Sequence, residues 1–253
     1  MFDPLFYGVA LIGIFVTAAL VAGALCFVSA PYGKHLRRGW GPSVPGRAAW
    51  MMMELPAVVC MATLFAGSER TTDAVAVVFL GLWQLHYLNR TFVFALRGRG
   101  GRRPMPALVM ALGFTFNIWN GYLNGAWLFF LGPQRGAIYF SDPRLVLGLL
   151  LFLAGMALNQ HSDRILLRLR PAGETGYRIP SGGMFRLVSA PNYLGELIEW
   201  TGWALATWSL AGLGFAVFTA ANLVPRAWHN HRWYQSHFDD YPAERRAIIP
   251  FLL

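Results

Sequence analysis

Seven stretches of this chain are too apolar and too long for the core of a water-soluble domain, and that alone restricts the fold. They lie near residues 5–30, 50–67, 73–96, 106–132, 145–168, 187–210 and 211–234. Each matches the roughly 17–25 residues that a helix needs to cross hydrocarbon. Inside a bilayer every backbone N–H and C=O must be satisfied within its own segment, which favours helices for runs of this length. Of 253 residues, 56% are hydrophobic and only 13% charged, a balance outside that of soluble domains. The expectation is an all-α polytopic membrane protein with seven transmembrane helices. It forms a single domain over residues 1–253, with no internal repeat or low-complexity segment.

The first run ends at Val28-Ser29-Ala30, faintly like a signal cleavage site, but it lacks a basic leader and is too long for one, so a retained anchor is expected. Cys26 and Cys60 both fall within predicted spans and offer neither a disulfide framework nor metal-ligand spacing.

Charge is distributed by face. Lys34, Arg37, Arg38 and Arg47 follow the first run, Arg97, Arg99, Arg102 and Arg103 the third, and Arg164, Arg168, Arg170, Arg178 and Arg186 the fifth; Arg232, Arg245 and Arg246 close the chain. The alternate connections hold only Glu69, Arg70 and Asp73, then Arg135, Asp142 and Arg144, then none. The positive-inside rule puts the amino terminus outside and the carboxyl terminus in the cytoplasm. The net charge of +9 is then accounted for by topology and anionic headgroups, with no nucleic-acid motif to suggest another partner. Four arginines within residues 97–103 read first as a solvated stop-transfer anchor and second as a phosphate site.

Against this background, polar side chains inside the runs are costly and mark function. Residues four apart share a helix face, so Asn159 pairs with Asp163, Asn192 with Glu196, Tyr87 with Thr91, and Arg226 with Asn230 and then Tyr234. Any one pair reads as interhelical glue. Four stripes in the cytoplasmic halves of their spans, with charge of both signs, point to one cavity open to the cytoplasm. Glu199 has no assigned role. Glu54 and Tyr87 lie apart from most arginines, among Trp50, Trp83 and the methionines Met51, Met52 and Met53. A carboxyl–phenol pair there can polarise a ketone oxygen or merely fix helix register, and spacing alone leaves both open. Gly212-Leu213-Gly214 sits in an apolar run with no preceding strand, so it reads as helix packing. The six histidines are scattered, and no metal site is expected.

These residues also carry a resemblance. Tyr32-Gly33-Lys34-His35, Ala49-Trp50, Glu54-Leu55-Pro56, His86-Tyr87 with Arg90-Thr91, and Asn159 to Asp163 (NQHSD) look like motifs of the membrane steroid 5α-reductases. So do Gly182-Gly183-Met184-Phe185, the run Ser189-Ala190-Pro191-Asn192-Tyr193-Leu194-Gly195-Glu196, Glu199-Trp200, Phe238-Asp239-Asp240-Tyr241-Pro242, Arg245-Arg246 and Ile249-Pro250-Phe251. The similarity covers essentially the whole chain. It implies a seven-helix enzyme that reduces the Δ4 bond of a 3-oxo-Δ4 steroid with NADPH, by hydride transfer to the enone β-carbon.

Carried over by motif position, the catalytic pair is Tyr87 supported by Glu54. The cofactor-binding residues are Tyr32, Arg103, Asn159, Asp163, Arg170, Tyr177, Arg178, Asn192, Glu196, Arg226 and Tyr234, with Trp50, Trp200 and Phe218 lining the steroid slot. The loop before Pro104 is about two residues longer than in the family, so Arg99 or Arg102 can stand in for Arg103. Asn230 replaces a common histidine, and Met53 a common polar residue. A monomer is expected, in a bacterial inner membrane, as the preponderance of Arg over Lys and the compact length permit, or in the endoplasmic reticulum of a eukaryote. The rival readings are a trans-2-enoyl thioester reductase, an isoprenylcysteine methyltransferase-like bundle, and a non-catalytic lipid carrier or sensor.

Overall fold

The computed structural model describes residues 3–97, 104–169 and 176–253. Among them are seven helices of fifteen residues or more, each with a local reason to start or stop. Helix α1 (Pro4–Phe27) opens at Pro4, whose missing N–H costs nothing at that position, and the Asp3 side chain caps it by accepting from the Leu5 amide. Helix α2 (Gly46–Ala66) starts after Pro45 and ends at Gly67, with Pro56 inside it. Asp73 caps α3 (Ala74–Leu88), which runs on as a π-helical segment, Asn89–Phe94. Helix α4 (Ala107–Ala126) follows Pro106 and also ends in a π-helical segment, Trp127–Leu131. Asp142 caps α5 (Pro143–Arg168), and Pro191 opens α6 (Pro191–Thr207).

No charge interrupts the chain at the break before α7 (Leu210–His237), which backbone conformation sets instead. Trp208 takes a left-handed conformation (φ 43°, ψ 52°), uncommon for a bulky residue, and Ser209 caps the new helix on the Gly212 amide at 2.9 Å.

Four helices, α1, α2, α5 and α7, are long and apolar enough to cross a membrane, and they mark the chain as a membrane protein. The other three fall short for visible reasons: α3 and α6 have 15 and 17 residues, and α4 carries Asn117, Asn120 and Asn124. Helix α1 buries only the stripe Tyr7, Ile14 and Ala18, while Leu5, Phe6, Val9, Ile12 and Leu20 stand more than 60% exposed. An apolar face that broad is soluble only in lipid.

The tightest pairing is α5 with α6. A Cβ added to Gly155 would lie 2.6 Å from the Gly195 carbonyl oxygen, and one on Gly195 would lie 2.7 Å from that of Gly155. The backbones touch there, as at small-residue crossings in membranes. Helix α2 packs on α3 and α4, and α7 packs on α1 and α6. The core between them is aromatic, with Phe79, Trp83, Phe152, Trp200, Trp203 and Phe215 buried together. Outside the bundle, Ser43–Val44 (β1) and Met105–Pro106 (β2) form a short antiparallel pair. The last residues return beside α6, where the Ser189 amide donates to the Arg246 carbonyl at 2.8 Å.

Candidate active site

The close approach at Gly155 and Gly195 determines where the polar stripes meet. It places Asn159 within reach of α6, and Asn159 Nδ2 donates to the Asn192 carbonyl at 3.0 Å and to Glu196 Oε1 at 3.2 Å. Asn192 Nδ2 returns a bond to Asp163 Oδ1 at 3.3 Å. Two carboxylates this near repel unless a cation joins them, and Arg90 supplies it. Its guanidinium lies 3.8 Å from Asp163 Oδ2 and 3.5 Å from Glu196 Oε1, over the rings of Trp50 and Phe94. Arg90 comes from the π-helical end of α3, a distortion common at functional sites.

A second region opens where the α1–α2 connection meets α7. A cavity of about 180 Å³ is lined by Tyr32, Lys34, His35, Tyr193, Arg226 and Asn230, among other residues. Arg226 donates to the Tyr193 hydroxyl at 2.8 Å, with its guanidinium between the rings of Tyr32 and Tyr193. The Lys34 ammonium sits over Trp233 and Tyr234, and burial pushes its pKa down to about 7. Burial likewise lowers that of His35, which is 3.3 Å from Asn230 Oδ1. No acidic side chain lines this cavity among the described residues. Such a donor set suits an anion such as a phosphate.

The third region holds Glu54 and Tyr87, both buried. Tyr87 packs between Trp83 and Trp200, with ring centroids 4.8 and 5.9 Å away. No hydrogen bond joins Tyr87 directly to Glu54 among the described residues, contrary to the simplest form of the expected pair. Helix α4 comes between them. Asn117 Nδ2 donates to Glu54 Oε2 at 3.2 Å and to the Met53 carbonyl at 2.7 Å, while the Tyr87 hydroxyl interacts with the Asn120 side chain. Behind Tyr87, His86 Nδ1 meets Glu199 Oε1 at 2.7 Å, and Glu199 is fully buried, its Oε2 without a hydrogen-bond partner among the described residues. This pair ties the neighbours of Tyr87 and Trp200 in the chain, and thereby α3 to α6.

Residues 103–253 match the family model described as 3-oxo-5-alpha-steroid 4-dehydrogenase. Steroid 5-alpha-reductase DET2 of Arabidopsis thaliana is 40% identical over 256 residues, covering 99% of this chain and 98% of the relative. The chain belongs to the 3-oxo-5-alpha-steroid 4-dehydrogenase family. The enzymes named 3-oxo-5-alpha-steroid 4-dehydrogenase 2 from Sus scrofa and Homo sapiens are 46% and 45% identical, over 239 and 243 residues. These matches cover 93% of this chain in both cases, and 93% and 94% of the relatives. Members of this family are oxidoreductases, and so is this chain.

The structure brings most of the expected residues together. Asn159, Asp163, Asn192 and Glu196 form the Arg90 cluster; Tyr32 and Arg226 line the cavity. Tyr234 is buried beside it, stacked on Tyr241 at 5.4 Å under Lys34. Tyr177 lies edge-on to Trp233 at 4.8 Å, and Arg178 is on the surface. Trp50 and Trp200 flank the Arg90 and Tyr87 groups, whereas Phe218 stacks on Phe116 at 4.0 Å in the neighbouring aromatic cluster. Arg99, Arg102, Arg103 and Arg170 lie outside the described residues.

Sequence reasoning gave no role to Arg90, Lys34, Asn117, Asn120 or Asn124. The signal was present: the three asparagines are three and four apart in an otherwise apolar run, on one helix face. Met53 packs against Gly113 of α4, where a Cβ would come within 2.5 Å of its Sδ.

Proposed function

We propose that this chain reduces the Δ4 bond of 3-oxo-Δ4 steroids to 5α-reduced 3-oxo steroids with NADPH. The observation that carries this reading is Arg90. Its guanidinium lies 3.8 Å from Asp163 and 3.5 Å from Glu196, and its charge also acts on Glu54, so in this reading the dinucleotide residues and the ketone residues share one buried polar centre. The donor set fits NADPH: Asn159, Asn192 and the two carboxylates suit the carboxamide and ribose hydroxyls, and Arg226 and Lys34 suit phosphate oxygens.

When bound, NADPH supplies a hydride to the enone β-carbon. The π electrons of the substrate then move toward the ketone oxygen, and a proton added at the α-carbon completes the reduction. Tyr87 donates a hydrogen bond to that oxygen as its charge grows, where a preplaced donor counts most. Glu54, held by Asn117, supports it, and the aromatic walls from Trp50 and Trp200 exclude water and position the flat steroid. In this reading all seven helices span the membrane as one monomeric domain, with the amino terminus outside and the cofactor entrance in the cytoplasm.

Purified protein incubated with NADPH and progesterone or testosterone is expected to yield a product that has gained two hydrogens and lost the ring double bond. Tyr87→Phe and Glu54→Gln are each expected to lower kcat by about 10²–10³ while NADPH still binds. Intact steroid recovered from NADPH-bound protein that instead reduces an enoyl thioester would refute the steroid assignment. Full activity in both variants would refute the catalytic one.

A further inference from the structure

Behind Tyr87 a series of hydrogen bonds runs in one direction, and its first donor determines that direction. Trp203 on α6 is fully buried, and its indole Nε1–H, which can only donate, reaches Asn124 Oδ1 at 2.8 Å. Turning this amide over would set two N–H groups against each other, so the indole fixes its orientation. Asn124 Nδ2 therefore faces Asn120, donating to its Oδ1 at 2.9 Å and its carbonyl at 3.1 Å. With its side-chain oxygen occupied, Asn120 is left with a nitrogen pointing onward. That Nδ2 is buried and completes no hydrogen bond among the described residues. The Tyr87 hydroxyl interacts with this side chain.

A donor facing the phenol oxygen has one consequence. At the Asn120 nitrogen Tyr87 meets an N–H and not an acceptor, so its own O–H is turned away from that nitrogen. We infer that Trp203, Asn124 and Asn120 form a one-way hydrogen-bond relay that keeps the Tyr87 hydroxyl hydrogen directed at the substrate ketone, with Asn120 as the positioning residue. The inference rests on the reading that Tyr87 donates to the ketone. As charge moves onto the ketone oxygen, the phenol oxygen shares it, and the Asn120 N–H closes on that oxygen. Contacts of this kind tighten along the reaction, and successive bonds in a chain polarise one another. The buried amide donor, which would be a defect in an inert core, thus has a partner in the transition state.

The test compares Asn120→Leu, Asn120→Asp and Tyr87→Phe, singly and combined, in the full-length protein with NADPH and progesterone. Asn120→Leu is expected to lower kcat about 10-fold with the NADPH Kd unchanged, and to have no further effect in Tyr87→Phe protein. Asn120→Asp keeps the shape, so it guards against a variant that fails to fold. Its ionised form offers Tyr87 an acceptor and turns the hydroxyl inward, while its protonated form donates. Its kcat is therefore expected to recover as pH falls, a dependence that Asn120→Leu lacks and a packing role would not produce. Wild-type kcat in Asn120→Leu, a kcat in Asn120→Asp that does not change with pH, or additive losses with Tyr87→Phe, overturns the relay while leaving Tyr87 catalytic. Wild-type turnover in Tyr87→Phe alone overturns the underlying reading and the relay with it.

Discussion

The crossing of α5 and α6 allows a quantitative test of how the fold holds its cofactor residues. A methyl group at Gly155 would lie 2.6 Å from the Gly195 carbonyl oxygen, with the Glu199 amide nitrogen closer still. Ordinary contact begins near 3.4 Å, so clearing the Glu199 nitrogen at 2.3 Å requires the helices to part by about 1.1 Å, and the colliding atoms are backbone, with no side chain to swing away. One turn along, Asn159 Nδ2 is 3.0 Å from the Asn192 carbonyl. The same displacement takes it to about 4.1 Å, beyond hydrogen-bonding range.

Gly155→Ala is therefore expected to destabilise the protein by about 1–3 kcal/mol and to weaken NADPH binding by about 10-fold through the lost polar geometry. Thermal unfolding in detergent and a tryptophan-fluorescence titration with NADPH measure the two effects. Gly8→Ala is the control, since nothing lies within 4 Å of a methyl group there. A Gly155→Ala protein that melts and binds NADPH like wild type would show that the crossing does not position the site.

Two other perturbations have signs that follow from the structure. Burial lowers the Lys34 pKa from 10.5 to about 7, so between these values the unfolded chain holds a proton that the folded chain has released. This contribution to stability is complete above 10.5 and is lost as pH falls toward 7, a slope that Lys34→Met should flatten in pH-dependent melting curves. A bound phosphate restores the ammonium, so NADPH binding near pH 8 should take up a proton and binding near pH 6 should not, as calorimetry in buffers of different ionisation enthalpy would show. Glu199→Ala leaves His86 buried without its partner and is expected to cost about 3–5 kcal/mol, most of it recovered when His86→Leu is added. Equal stability of the single and double variants would mean that the two residues do not act as a pair.

Much of the site was legible before the fold was known, because depth and periodicity are sequence properties. Asn159 with Asp163, and Asn192 with Glu196, were readable as shared faces from spacing alone. The structure adds that α5 and α6 press these faces together, a consequence of glycines whose packing partners lie some forty residues away. Arg90 escaped notice because its value depends on which carboxylates surround it. Spacing along the chain shows Glu54 and Tyr87 only as two isolated polar residues on neighbouring helices. Helix α4 meets each with a different asparagine: Asn117 donates to Glu54, and Asn120 interacts with Tyr87.

By itself the sequence determined that this chain lives in a membrane, how its helices begin and end, and which residues are too polar for their depth. These are local consequences of transfer free energy, backbone satisfaction and capping, and each is settled within a few turns of chain. Only the tertiary structure decided which polar groups meet. The Arg90 cluster, the cation-lined cavity, the His86–Glu199 clamp and the relay from Trp203 to Tyr87 all join residues from different helices. Their existence turns on contacts of a few ångströms set by side-chain packing, which no periodicity along one helix can encode.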